Sequence, residues 1–187
     1  LIAALASLIE NSTKSRCFAG GVVVGLAAAF GRNHGLYGAI GFTVTLIWLA
    51  YSERDLPTGV RRMFLWGLGV VSGYMPILLM CIFLPGFASA FWESIRFYFE
   101  IGATNLPLPV PWPWRANFDA ANVMVPIHQV LVGVAYVGLL GFSTVAPVWL
   151  FLSRKTRGSV PPQLIAASFL ALPYAHFAFS RAGPSHL

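Results

Sequence analysis

Charged side chains are scarce in this sequence. Lys and Arg number 12 and Asp and Glu number 6, which together is 10% of the 187 residues. A soluble domain normally carries about 25% charged residues, enough to cover its surface. Hydrophobic residues make up 57% of the chain, so most of a folded surface would have nothing polar to present to water. This balance argues against a soluble domain and favours lipid as the solvent.

Cysteine and the common catalytic motifs are equally scarce. Cys17 and Cys81 are the only two cysteines, too few for a disulfide framework or a cysteine-based metal site. The four histidines form no i, i+4 pair and no His-Glu-x-x-His motif, and the sequence contains no Walker loop or nucleophile elbow. The net charge of +6 does not indicate nucleic acid, because the basic residues lie in short groups between apolar runs. No cofactor is evident.

Long apolar runs predict an all-α fold. A membrane-spanning helix needs roughly 20 apolar residues, and the runs here predict a polytopic transmembrane helix bundle of about five or six spans. The predicted spans cover residues of about 1–9 (partial), 17–30, 36–51, 63–84, 125–152 and 162–180. We interpret residues 1–187 as a single transmembrane domain, a fragment of a longer chain, since the sequence begins inside an apolar run.

The distribution of basic residues predicts how the bundle is oriented. If the spans alternate in direction, the loops at 10–16, 52–62 and 153–160 share one side of the membrane. These loops contain Lys14, Arg16, Arg54, Arg61, Arg62, Arg154, Lys155 and Arg157. The positive-inside rule assigns that side to the cytoplasm. All four histidines then lie on or near the outer face, which is where we expect the function.

Residues 86–121 form the one long connection, predicted to be on the outer side. Its first half, Ala88 to Gly102, predicts an aromatic-rich helix in the headgroup layer, with Glu93, Arg96 and Glu100 on one face and able to pair. Its second half, Leu106 to Trp114, alternates proline with apolar residues and predicts an extended polyproline II segment. Within it, Trp112 and Trp114 would lie at the interface. They form either an anchoring belt or the rim of an outer cavity that guides an amphipathic substrate.

Five basic residues are candidates for binding a substrate phosphate. Arg32 and His34 lie in a predicted turn, Gly31–Gly35, where an arginine fork suits phosphate oxygens; the alternative is an exposed turn whose arginine reaches headgroups. His176 lies near the outer end of the last span, where it either faces a cavity or is satisfied by a neighbouring helix. Arg181 and His186 would complete a basic ring suited to a diphosphate.

Glycine pairs mark two of the predicted spans. Gly21 and Gly25, and likewise Gly69 and Gly73, have the small-xxx-small spacing that lets helix backbones approach closely. We interpret both pairs as packing positions.

Two short motifs carry a resemblance to a known family. The ending from Tyr174, Tyr-Ala-His-Phe-Ala-Phe-Ser-Arg-Ala-Gly-Pro-Ser-His-Leu, resembles the Phe-Ser-Arg-Ala-Asp-x-x-His-Leu segment of certain bacterial polytopic inner-membrane proteins. The Arg-Asn-His-Gly-Leu-Tyr run from Arg32 is similar to another segment of the same proteins. These in turn resemble lipid-dependent glycosyltransferases of the GT-C fold.

The resemblance implies an enzyme in the bacterial inner (plasma) membrane that transfers a sugar from a polyprenyl-phosphate donor at the non-cytoplasmic face. In that family an acidic residue of the first outer loop is the base or a metal ligand, and basic residues bind the donor phosphate. Here Gly183 replaces the expected Asp, and the first outer loop is not in this chain. Any divalent metal would therefore be bound through residues outside the chain, and Asp119 is the remaining candidate for a catalytic carboxylate.

Two other functions stay open from the sequence. A non-catalytic subunit that scaffolds a larger complex with other membrane subunits would have the same hydropathy. A transporter or flippase component would use the same outer cations to recognise an anionic substrate. The expected partners are membrane lipid and a lipid-linked sugar, without nucleic acid.

Overall fold

A computed structural model describes residues 1–101, 110–118, 122–153 and 159–180 of the chain. Its regular structure is helical, which confirms the all-α fold class. The helices are α1 (Ile2–Glu10), α2 (Lys14–Phe30), α3 (Arg32–Glu53), α4 (Leu56–Phe83), α5 (Phe87–Ile101), α6 (Met124–Leu152) and α7 (Pro162–Ser180). A single 3-10 turn, Pro113–Arg115, lies between α5 and α6.

Three of these helices are long and apolar enough to cross a membrane. They are α3 with 22 residues, α4 with 28 and α6 with 29. At 1.5 Å per residue, each is at least about 30 Å long, which matches the hydrocarbon core of a bilayer. Most of α4 and α6 is not covered by the rest of the protein, so both helices present apolar side chains outward, as membrane helices do.

The break between α2 and α3 is shorter than the sequence predicted. We expected Gly31–Gly35 to interrupt the helices as a turn, but only Gly31 does so, with an extended backbone (φ −161°, ψ 111°). Arg32, Asn33 and His34 form the first turn of α3. The prediction was wrong here because polar side chains are compatible with the first turn of a helix, where they project from its end.

Helices α2 and α4 pack backbone to backbone through the predicted glycine pairs. A Cβ added to Gly21 would lie 2.9 Å from the Gly69 Cα, and one added to Gly25 would lie 2.9 Å from the Gly73 carbonyl carbon. The close approach predicted from the small-xxx-small spacing is therefore confirmed.

The core lies where α3 packs against α7, with α1 and the end of α6 around them. Phe42 and Trp48 of α3 are fully buried, and Trp48 packs against Phe169 of α7 with ring centroids 5.6 Å apart. The Trp48 indole N–H donates to the Leu150 carbonyl at 3.0 Å. That carbonyl belongs to the last turn of α6, where carbonyl groups lack a partner within the helix.

The contacts place the loops in two groups at opposite ends of the bundle. At one end, Arg16 pairs with Glu10 at 3.4 Å and Arg62 pairs with Glu53. Asp55 accepts from the Thr58 N–H there and caps α4, and its pKa is lowered by hydrogen bonds from the Thr58 side chain and backbone. At the other end lie Gly31, all of α5, the 3-10 turn and the C-terminal end of α7. We call this second end the cavity end.

Candidate functional site

A cavity of about 430 Å³ opens at this end of the bundle. Three elements meet around it: the first turn of α3, the middle of α5 and the last turns of α7. It is lined by Gly31, Arg32, Asn33, His34, Ser94 and Phe177. The cavity is open on one side and is accessible from outside the protein.

Arg32 connects α3 to α5 across this cavity. Its Nη2 donates to the Ser94 hydroxyl oxygen at 2.6 Å, and its Nη1 donates to the Ser94 carbonyl at 3.4 Å. The guanidinium carbon lies 5.5 Å from the centre of the Phe91 ring, within the range of a cation–π contact. Among the described residues, no carboxylate is within ion-pair distance of Arg32. The guanidinium therefore keeps its charge and further N–H groups available for an anion.

His34 lies on the α7 side of the cavity. Its Nδ1 is 3.1 Å from the Tyr174 hydroxyl, and the two rings are stacked with centroids 5.8 Å apart. Phe177, one turn further along α7, contacts the same imidazole at 6.3 Å between ring centroids. These contacts fix the ring, so that Nε2 is the nitrogen left for a ligand.

A second histidine–tyrosine pair joins the same two helices. The Tyr37 hydroxyl is 3.0 Å from Nδ1 of His176, and the Tyr37 ring contacts Tyr174 edge to face at 5.2 Å. His34, Tyr174, Tyr37 and His176 therefore form one continuous chain of contacts between α3 and α7. Because His176 does not line the cavity itself, the network connects it to His34 indirectly.

The backbone of α3 adds a second kind of anion-binding group. The first N–H groups of a helix have no partner within the helix, and the helix dipole places partial positive charge at this end. Gly31 occupies the N-cap position and has no side chain to accept from them. Because the residues of this first turn line the cavity, their N–H groups are suited to phosphate oxygens bound there.

The structure brings some of the predicted site residues together and not others. Arg32 and His34 share the cavity, and His176 is adjacent through Tyr37. Arg181, His186 and Asp119 lie outside the described residues.

Trp112 and Trp114 lie on a different side of α7 from the cavity. Trp112 packs on Phe179 at 6.0 Å, whereas the cavity is lined by Phe177. Two residues along a helix are about 200° apart around its axis, so these phenylalanines face nearly opposite directions. The two indole rings are stacked, with centroids 5.1 Å apart and an angle of 6° between the ring planes. Neither Trp112 nor Trp114 lines the described cavity, so their function as a rim stays a prediction.

The segment around these tryptophans also differs from the predicted polyproline II conformation. Trp112 is extended (φ −62°, ψ 140°), as predicted, but Pro113–Arg115 forms a 3-10 turn. A Cβ on Gly133 of α6 would lie 2.5 Å from the Pro111 carbonyl oxygen, so this turn packs tightly on α6. Residues 106–109 of the proline-rich stretch lie outside the described part.

Helix α5 is present as predicted, and its bounds, Phe87–Ile101, are shifted by one residue from the predicted 88–102. Arg96 pairs with Glu100 at 2.9 Å, as its i, i+4 spacing predicted. Within the described residues no ion pair joins Arg96 to Glu93. Three residues that the sequence pattern did not indicate make the hydrogen bonds at this site. Ser94 bonds to Arg32, Tyr37 to His176 and Tyr174 to His34.

The described residues contain no group of three or more His, Cys, Asp or Glu side chains that could hold a metal ion. The chemistry of the cavity is thus that of a cation, an imidazole and backbone N–H donors.

No protein-family model matches this sequence, and neither a curated protein nor a solved structure matches it.

Proposed function

We propose that this chain is a multi-pass membrane protein that binds the phosphate of a lipid-linked sugar at the non-cytoplasmic face. Its proposed activity is that of a glycosyltransferase that uses a polyprenyl-phosphate sugar as donor. The observation that carries the proposal is the cavity itself. It combines Arg32, His34 and the first-turn N–H groups of α3, three types of donor that suit one phosphate.

The location of the cavity favours a lipid phosphate over a soluble one. It opens at one end of α3, a helix long and apolar enough to cross the membrane. A ligand bound there would have its phosphate at headgroup level and its chain beside the apolar surfaces of the bundle. Together with α3, α4 and α6, helices α2 and α7 would make five spans, and α1 would be a partial sixth. We place this bundle in the bacterial inner membrane, with the segments 10–16, 52–62 and 153–160 on the cytoplasmic side.

In the proposed reaction an acceptor hydroxyl oxygen attacks the anomeric carbon of the donor sugar. The bond from that carbon to the phosphate oxygen breaks, and the electron pair leaves with the polyprenyl phosphate. Arg32 and the α3 N–H groups would stabilise the charge that develops on the departing phosphate. The acceptor proton passes to a base. The described residues that line the cavity include no carboxylate, so Asp119 or a residue outside this chain would supply it.

Binding of a polyprenyl phosphate to the chain in lipid nanodiscs tests the proposal. We expect Arg32→Ala to weaken binding by roughly tenfold to a hundredfold, because a hydrogen bond to a charged group contributes about 1.5–3 kcal/mol. Arg96→Ala is the matched control, since it removes the same charge from the same end of the protein outside the cavity. A neutral polyprenol should bind more weakly than the phosphate.

Three results would separate the candidate functions. Equal losses for Arg32→Ala and Arg96→Ala, or equal affinity for phosphate and polyprenol, would contradict a phosphate site and favour a scaffold subunit. If the phosphate binds as expected, the chain is then given a polyprenyl-phosphate sugar and an acceptor alcohol. Release of polyprenyl phosphate together with a glycosylated acceptor would support a transferase, whereas binding without release would contradict transfer by the residues of this chain and favour a transport component.

A further inference from the structure

Helix α5 is attached to the rest of the protein through few contacts. It follows α4 after the short turn Leu84–Gly86, in which Gly86 has a positive φ of 79° and open space around it. Its aromatic side chains are largely exposed, with Trp92 at 64% and Phe99 at 81%. Arg32 provides the hydrogen bonds that reach α5 from another helix among the described residues.

Ser94 is the residue of α5 that both holds Arg32 and lines the cavity. Its hydroxyl oxygen accepts from Arg32, while its O–H donates to the Phe91 carbonyl at 2.7 Å. Within a helix the Phe91 carbonyl also has the backbone N–H one turn later as a donor, so the serine O–H is not needed there. Rotation about the Cβ–Oγ bond of Ser94 would turn this O–H from the carbonyl toward the cavity while the oxygen stays in place to accept from Arg32.

We propose that Ser94 is a further ligand of the bound phosphate and that phosphate binding fastens α5 over the cavity. This inference rests on the proposed phosphate site. An anion in the cavity would accept from Arg32 and the first turn of α3 on one side and from Ser94 on the other. The bound phosphate would thus join α3 to α5 directly, and α5 would serve as a lid that is loosely held without ligand and fixed with it.

Hydrogen exchange of the α5 amides, residues 87–101, measures how firmly the helix is held. The probe is a polyprenyl phosphate in nanodiscs at saturating concentration, compared with the neutral polyprenol. In the unmodified chain we expect the phosphate to slow α5 exchange by about tenfold, the effect of one additional hydrogen bond to a charged group. The polyprenol should leave the exchange rate unchanged.

Ser94→Ala should weaken phosphate binding by about tenfold and abolish the slowing of α5 exchange even at saturation. Ser94→Thr, which keeps the hydroxyl, should restore both. Ser89→Ala is the matched control, because Ser89 lies on the same helix and donates to the Gly86 carbonyl at 2.8 Å instead of lining the cavity.

The outcomes distinguish this inference from the proposed function. If the phosphate binds through Arg32 but α5 exchange does not change, or if Ser94→Ala behaves like Ser89→Ala, the lid is overturned and the phosphate site stands. If the unmodified chain does not bind the phosphate at all, the proposed function fails and the lid fails with it. Thermal unfolding of each variant without ligand shows whether a loss of binding reflects a loss of folding.

Discussion

The close packing of α2 against α4 predicts how much stability is lost when a methyl group is added at Gly73. A Cβ added to Gly73 would lie 2.9 Å from both the Leu26 nitrogen and the Val22 carbonyl carbon, whereas carbon atoms in contact are about 3.5–4.0 Å apart. Both neighbours are backbone atoms, so no side-chain rotation relieves the overlap and the helices must separate. Overpacking of this kind costs about 1–3 kcal/mol.

Part of this cost is offset, because Ala is favoured over Gly inside a helix by roughly 0.5–1 kcal/mol. We therefore expect Gly73→Ala to lower the free energy of unfolding by about 1–2 kcal/mol. In a chain of this size that corresponds to a fall in Tm of roughly 2–8 °C. Thermal unfolding in detergent or nanodiscs measures it.

Gly67→Ala is the matched control for this substitution. Gly67 lies in the same helix and has no atom within 4 Å of an added Cβ, so the alanine should raise Tm slightly. If Gly73→Ala is as stable as Gly67→Ala, then α2 and α4 do not approach each other through these glycines.

Two further predictions concern the core and the orientation. Trp48→Phe removes the buried indole donor to the end of α6 and should cost about 1–3 kcal/mol in thermal unfolding. The half-exposed Trp149→Phe should cost less, and equal losses would contradict the buried bond. With both native cysteines replaced, Asn33→Cys should react with an impermeant maleimide from the outer side of intact cells. Arg61→Cys should react only after permeabilisation; the reverse pattern would overturn the proposed orientation.

The helices could be predicted from the sequence because the hydrophobic effect acts on each segment separately. Apolar runs ending at polar groups indicated the approximate bounds of α6 and α7 and the end of α4, and the spacing of small residues indicated how Gly21 and Gly69 pack. The start of α4 was wrong, because the helix begins at Leu56 and includes the polar residues before the predicted start at 63. The first turn of α3 was missed because Arg32 and His34 are polar, and polarity alone does not distinguish a loop from the exposed end of a helix.

The site was only partly predictable, because its geometry depends on how the helices are rotated against each other. Arg32 and His34 are close in sequence, so their shared location was foreseeable. Ser94 is a single hydroxyl in an aromatic helix, and nothing in its neighbours indicates that it contacts a residue 62 positions away. Tyr174 likewise meets His34 only because α7 packs against α3.

The most direct test of the phosphate site is an experimental structure of the chain in lipid with a bound polyprenyl phosphate. We predict phosphate oxygens within hydrogen-bonding distance, about 2.7–3.2 Å, of the Arg32 guanidinium and of N–H groups in the first turn of α3. A phosphate bound elsewhere, with the cavity occupied only by solvent, would contradict the account.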